Sequence, residues 1–310
     1  MYCYDHLYYY EDAAFAGWSL IGNPFTATAY LKDAEGNEGN AMAYYRMNAA
    51  GDRIVLAEAG TPIKPCEGVF VQVTDNGSND VDPVWFTTTQ PQRGRGAMDF
   101  TVSKQSSTRD GASASATPID RARISFNEGK GMGHLDLMAD ANRLYIPQGG
   151  KDMAVVCSEP AGEMPLNFEA AENGTYTLGI SLNDTELVYC HLIDNLTGAD
   201  VDLLATSTGS VAEYTFEAKT TDYRSRFKVV FVAKSAFEGD NASNFAFHNG
   251  SAWVVNASAD ATVQVIDMTG RVVVSTDVAR GVSTNGIAPG VYVMRLIDGN
   301  DVKTQKIVVD

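Results

Sequence analysis

Strand-forming residues recur along the chain in runs of four to eight, each closed by Gly, Asn, Asp or Pro. The runs "GWSLIG", "AMAYYRM", "RIVLAE", "GVFVQVT", "VWFTTT" and "MDFTVS" are separated by stretches such as "AEGNEGN", "NAAGD" and "DNGSND". β-Branched and aromatic side chains suit a pleated, half-buried surface, and small polar clusters suit tight turns. Short connections join antiparallel neighbours, whereas parallel pairs call for long crossovers, usually helical. No helical period is visible, so residues 1–102 are expected to form an antiparallel sandwich or jelly-roll-like body.

The pattern lapses at 103–118, "SKQSSTRDGASASATP", which is small and polar. Such a stretch buries too little surface to offset the entropy of ordering and reads as a flexible loop. Strands are expected again at "RARISF", "LDLMA", "RLYIP" and "MAVVCSE", then at "GTYTLGISL", "LVYCHLIDN", "VDLLAT", "AEYTFEA" and "RFKVVFVAK". Alternation puts Tyr176, Leu178, Ile180 and Leu182 on one face of a strand and Thr175, Thr177 and Ser181 on the other. Residues 119–234 therefore form a second sandwich region, separate from 1–102 or continuous with it. In "LIGNPF", Pro24 keeps Asn23 out of the helical region, so the preceding strand must turn there.

Residues 235–245 read as a linker. Beyond them "SAWVVNA", "ATVQVIDMTGRVVVSTD", "GVSTNG", "GVYVMRLIDG" and "VKTQKIVVD" supply six or seven short strands over 246–310, with hairpin turns at "DMTGR", where Gly270 takes positive φ, and at "DGND". The segment is near the lower size limit for independent folding, but that many strands can close a small sandwich.

Composition sharpens the picture. The 310 residues are 45% hydrophobic and 10% aromatic, which supports folded cores, and the net charge is −16. Residues 246–310 hold six acids and five bases, leaving 33 acids and 18 bases before them, so the acidity belongs to residues 1–245. A field of that sign repels phosphate backbones and argues against nucleic acid, while it suits divalent cations. No run approaches the apolar length of a membrane-spanning helix. The opening "MYCYDHLYYYEDAAF" has neither a basic n-region nor an apolar h-region and reads as a start inside a longer protein.

Candidate chemistry is sparse. Cys3, Cys66, Cys157 and Cys190 match no metal-ligand spacing. A Cys157–Cys190 bridge would close a 33-residue loop, stabilising by roughly 3 to 4 kcal/mol, and stands against buried free thiols as the alternative. Of the four histidines His6, His134, His191 and His248 none sits in a recognisable signature, and no Ser occupies a GxSxG elbow. His191 follows Cys190, but adjacent strand residues face opposite sides of a sheet. Glu58, Glu67, Glu159 and Glu163 would have to converge in space for glycoside hydrolysis, and acids of an acidic protein usually sit on solvated loops. The turn "DNGSNDVDP" offers Asp75, Asn76, Asn79, Asp80 and Asp82 to a Ca²⁺ ion without the order of an EF-hand; a solvated turn is the competing reading. Trp18, Tyr44 and Trp85 are aromatics that could stack on sugar rings if exposed, although most such residues belong to cores.

"QVIDMTGRVV", "GIAPGVYVMRL" and "KTQKIVV", in that order near the C-terminus, resemble the A-type C-terminal sorting domain of the type IX secretion system of Bacteroidota. The motif positions are Gly270, Arg271, Gly290, Tyr292, Arg295, Lys303 and Lys306. The resemblance implies a small Ig-like sandwich, export across the outer membrane by the type IX machinery, removal of the domain, and attachment to surface lipopolysaccharide or release. The chain departs from the family by ending on Asp310. Stretches such as "RLYIPQGGKDMAVV" and "HLIDNLTGADVDLLAT" are similar to the β-rich region that precedes this domain in surface proteins of Bacteroides and Prevotella relatives, which brings no activity with it.

The sequence thus predicts an all-β, secreted or surface-displayed protein, not an enzyme, with a binding or adhesive role toward glycans or host proteins and no cofactor unless Ca²⁺. Its alternative is the accessory C-terminal portion of a larger secreted hydrolase or peptidase.

Overall fold

A computed structural model describes residues 1–4, 7–9, 15–34, 40–73, 83–91, 96–104, 118–126, 131–138, 141–183, 185–206, 211–234, 244–248, 252–258, 260–278 and 282–309. The chain is built almost wholly of strands and divides into two compact units. The first is Met1–Cys157, Pro165–Asp184 and Ser207–Phe227; the second is Ser158–Met164, Thr185–Thr206 and Lys228–Asp310.

The first unit opens with a sandwich. One layer holds β1 (Tyr2–Tyr4), β3 (Tyr30–Lys32) and β7 (Val84–Thr87) in the order β1-β7-β3; the other holds β2 (Trp18–Gly22), β4 (Tyr44–Met47), β5 (Ile54–Ala57) and β6 (Gly68–Gln72) in the order β2-β6-β4-β5, all antiparallel. Alternation along β6 sends Val69 and Val71 inward to join Ile21, Leu31, Tyr44 and Phe86 in a shared core. The bend after β2 falls where Pro24 requires it. Buried Asn23 secures it, its amide donating to the Ala27 and Ile63 carbonyls at 2.9 and 3.0 Å and its Oδ1 accepting from Phe25 N at 2.9 Å.

A larger sheet follows. β8 (Ala97–Lys104) lies between β9 (Asp120–Ser125) and β14 (Gly174–Asn183), and β17 (Val211–Ala218) forms the edge beyond β14. On the other side of β9 come β12 (Lys151–Cys157), β11 (Arg143–Gln148) and β13 (Ala161–Glu169), with short β10 (Met132–Gly133) also on β12. Tyr176, Leu178 and Ile180 are buried on one face of β14, as its alternation requires. Asp99 on β8 faces Arg123 on β9 in register.

In the second unit β15 (Leu187–Asp194) lies between β16 (Ala199–Asp202) and β18 (Phe227–Ala233), followed by the single helical turn α1 (Leu203–Thr206). The C-terminal part has a two-stranded ribbon, β19 (Ala246–His248) and β20 (Trp253–Val255), and a four-stranded sheet, β21 (Thr262–Ile266), β22 (Val272–Asp277), β23 (Gly290–Asp298) and β24 (Asp301–Val309), in the order β22-β21-β23-β24. Val263, Val265, Tyr292, Met294, Leu296 and Ile307 share a core with Phe245 and Ala246, so the segment is a small two-layer module with its own apolar interior. Gly270 has φ 87°, the left-handed geometry expected of its turn, and Gly299 in the second hairpin turn has φ 60°.

The structure corrects several expectations. In "LDLMA" the described residues 135–138 are not in a strand: β10 ends at Gly133, and of these four only Leu135 is buried. "VDLLAT" leaves its strand at Asp202, whose Oδ1 accepts from Leu204 N (2.9 Å) and Ala205 N (3.2 Å) and so starts α1. β9 and β12 pair in parallel, with strands rather than a helix in the connection. β13 runs through Pro165, a residue that argues against a strand; its pairing with β11 begins only beyond it, at Asn167. Phe245, placed in the linker by composition, is 1% exposed in the C-terminal core. Cys157 and Cys190 are separate thiols, so the bridge between them does not form. Most of the expected loop (105–117) and linker (235–243) lies outside the described residues.

Candidate functional site

The adjacent tyrosines of β4 serve two interiors. Tyr44 points into the sandwich core, whereas Tyr45 points the other way, into a second apolar cluster with Leu56, Met132, Leu135, Ala154 and Val155. Period-two alternation makes this division unavoidable.

Beside Tyr45 lie Asp120, the first residue of β9, and His134, just beyond β10. His134 is set by its backbone N–H, which donates to the Asp152 carbonyl at 2.8 Å, and by its Nε2, 2.9 Å from Asp120 Oδ2. The side chains are only 6% and 8% exposed. The same carboxylate accepts from Leu144 N at 2.6 Å on Oδ2 and from Arg121 N at 2.8 Å on Oδ1. Both oxygens of Asp120 therefore accept from backbone N–H donors, and Oδ2 also meets His134 Nε2. The rings of Tyr45 and Tyr145 meet the imidazole edge-on, each with centroids 6.2 Å away, and Trp18 meets Tyr45 edge-on at 5.6 Å.

Arg143 braces this corner. Its guanidinium pairs with Asp152 (2.8 Å), Glu169 (3.0 Å) and Asp136 (3.2 Å) and lies 4.9 Å from the Tyr145 ring centre. Burial, with Asp120 adding, pushes the Tyr45 phenol well above its ordinary value, against smaller opposing effects of the Leu135 amide and Arg143. Its hydroxyl stays protonated across the physiological range. Among the described residues, Tyr45 Oη, His134 Nδ1 and Arg143 Nε are buried here without a well-formed hydrogen bond. Both residues line a cleft of about 250 Å³ whose wall includes Ile54, Ile119, Leu137 and Met138, the last two exposed at 41% and 46%.

The aromatics expected to stack on sugars do not form this cleft. Tyr44 is fully buried, with its hydroxyl donating to the Thr61 carbonyl at 3.1 Å and its phenol pushed by burial to about 12, so it is a core residue and not a stacking platform. Trp18 and Trp85 are half-buried, Trp18 against Tyr45 and Trp85 on β7 opposite Cys3 and Lys32. Asp75, Asn76, Asn79, Asp80 and Asp82 lie outside the described residues. Among the described residues no group of three or more His, Cys, Asp or Glu side chains is placed to hold a metal. Glu58, Glu67 and Glu163 are taken by separate cations, Arg121, Arg46 and Lys228. His191 stacks on Tyr189 and bonds Asp200 at 2.7 Å, while Cys190 is buried with its thiol pushed to about 12 by burial. Tyr45, Asp120 and His134 come from three distant segments with no linear motif; an isolated His was the one sequence signal at this place.

The residues of the closing motifs have clear positions. Gly270 makes the first hairpin turn, where Asp267 Oδ1 accepts from Thr269 N (2.9 Å) and Arg271 N (3.0 Å), and Arg271 Nε pairs with Asp267 Oδ2 at 3.0 Å. Gly290 opens β23, and Tyr292 turns inward, donating its hydroxyl to the Ala288 carbonyl at 2.8 Å. Arg295 is half-buried and donates to Gln264 Oε1 at 3.0 Å from Nε. Lys303 and Lys306 are exposed on β24. Gln305 turns inward and accepts from Phe245 N (2.8 Å) and Ala246 N (2.9 Å) while donating to the Ala246 carbonyl (2.8 Å), so the last strand clasps the first residues of the module.

Residues 249–310 match the family model described as the secretion system C-terminal sorting domain. The C-terminal module is a sorting domain. It directs the chain to the secreted or cell-surface compartment through the type IX secretion machinery. Gly270 shapes a turn of the sorting domain and Tyr292 its core, whereas Arg271, Lys303 and Lys306 remain on its surface. No curated protein and no solved structure matches the chain.

Proposed function

We propose that the protein is a non-enzymatic binding protein, delivered by its sorting domain to act on the cell surface or in the medium in an adhesive role toward glycans or host proteins. The observation that carries this reading is the sorting-domain match on a module with its own core, which marks residues before it as cargo. Supporting the non-enzymatic part, none of the described residues that line the cleft of the first unit is Ser, Thr or Cys, and both oxygens of Asp120 are occupied by N–H donors. The cargo's acidity favours solubility and neutral or cationic partners over nucleic acid. After processing, surface lipopolysaccharide is the anchor this reading gives it.

Deleting residues 246–310 tests delivery: the truncated protein is expected to stay in the periplasm, and normal surface display would overturn the reading. Binding of the intact protein to glycan arrays and host-protein arrays tests the role, and a chelator-induced fall in Tm would add Ca²⁺ at residues 75–82.

A further inference from the structure

We propose that the outward face of the sorting domain's four-stranded sheet is the surface by which the type IX machinery takes hold of the chain, and that the component meeting it is a protein with an apolar centre and an acidic surround. This rests on delivery by the sorting domain and names the face that carries it.

Alternation sorts the two faces of the sheet. On β23, Tyr292, Met294 and Leu296 enter the core, so Val291, Val293, Arg295 and Ile297 point away from it. Register then lines up apolar neighbours on that outer face. Val291 stands opposite Val308 and Ile297 opposite Val302 on β24; Val293 stands opposite Ile266 on β21, and Ile266 opposite Val272 on β22. Side chains so paired have Cβ atoms roughly 4.5–5.5 Å apart, close enough to make a continuous surface. Val302 and Val308 are 61% and 56% exposed, and Val272 and Val291 are exposed as well. Single exposed apolar side chains are ordinary, whereas aligned ones spread over all four strands of a sheet mark an interaction surface.

Strand propensity alone does not require valine at these places. β14 meets the same demand on its outer face with Thr175, Thr177 and Ser181, which favour or tolerate the strand and remain wettable. The charge on the sorting face differs too. In a chain of net charge −16, the described residues of this face hold the bases Arg295 and Lys306 against one acid, Asp277, at its β22 corner. An apolar centre with a basic margin complements an apolar patch ringed by acids, the usual anatomy of a protein interface. A membrane surface is the poorer match, since anionic lipid is held by clusters of about four to eight Lys or Arg.

The experiment follows the full chain in a host with a type IX system, scoring the fraction open to external protease against the fraction kept in the periplasm. Val302→Glu and Val308→Glu, with Tm unchanged in the purified proteins, are each expected to lower display about tenfold, and Lys306→Glu to do so by reversing the charge. Met268→Glu, 73% exposed on the first hairpin turn and off the sheet face, should be displayed as the intact chain is. Val308→Thr, which keeps the β-branch and removes apolar surface, decides the matter if Val308→Glu does not fold. Full display of the folded valine variants would overturn the face and leave delivery standing. Equal loss in Met268→Glu would overturn it too, because display would then respond to a charge anywhere on the domain. Full display after deletion of residues 246–310 would remove delivery itself. Binding of the purified chain to lipopolysaccharide vesicles that Val308→Glu abolishes, with display unchanged, would give the face to lipid instead.

Discussion

His134 and Asp120 are joined at 2.9 Å through Nε2 and Oδ2, and the same oxygen accepts from Leu144 N at 2.6 Å. One carboxylate thus ties the start of β9, the residue after β10 and the start of β11. Asp120→Ala would leave three buried donors without an acceptor and should cost about 3 kcal/mol in urea denaturation. Asp120→Asn, which keeps an acceptor, should cost less. A change under about 0.5 kcal/mol for the alanine variant would show that the carboxylate does not hold these strands together.

Asp99 and Arg123 form a bidentate pair across β8 and β9, with contacts of 2.6 and 2.7 Å and both side chains 11% exposed; Asn183 also donates to Asp99. Arg123→Met leaves a buried carboxylate short of its cation and should destabilise by about 3 kcal/mol. The double variant Asp99→Leu/Arg123→Met should recover much of that loss, and a double-mutant cycle gives the coupling. Additive losses would mean the pair is not an energetic unit.

Gln305→Ala removes the clasp on Phe245 and Ala246. The expected result is faster amide exchange at residues 245–248 and a loss of about 2 kcal/mol confined to the sorting domain. The test matters for boundaries: unchanged exchange would place the start of the module after Ala246, at the edge of the family match.

Asp267, whose side chain is only 17% exposed, has its carboxyl pulled down to about 2, first by the Thr269 hydroxyl at 2.5 Å and then by the Arg271 amide. Its folded value lies below the ordinary 3.8, so the turn's contribution is present above about 3.8 and is lost as pH falls through about 2. A ¹³C carboxyl titration should give a midpoint near 2, moving upward in Thr269→Val. A midpoint near 4 in the intact protein would show that the hairpin turn does not form.

The thiols should separate by accessibility. Cys66 is exposed, whereas Cys190 is buried with its thiol pushed to about 12. Only the thiolate is nucleophilic, so mass spectrometry after brief iodoacetamide treatment should find Cys66 modified first and Cys190 last. Early modification of Cys190 in native protein would contradict the packing around β15.

The strands of the first sandwich and the hairpins of the sorting domain were legible because their information is local. A run such as "GVFVQVT" alternates faces and is bounded by turn residues, and Gly270 meets the positive φ its turn requires. β13 is not among the strand runs read from the sequence; it runs through Pro165, and it meets β11 only beyond the proline. Phe245 looked like linker because its polar neighbours outweigh one aromatic in composition, while its core position depends on Gln305, 60 residues on.

By itself, then, the sequence determined the all-β class, the hairpins of the C-terminal module and the export address, since periodicity, turn chemistry and an ordered motif set act over a few residues at a time. Only the tertiary structure decided which polar side chains meet. Tyr45 of β4, Asp120 of β9 and His134 after β10 lie on strands that pair with other partners, and only the packing of their side chains brings them to one cleft.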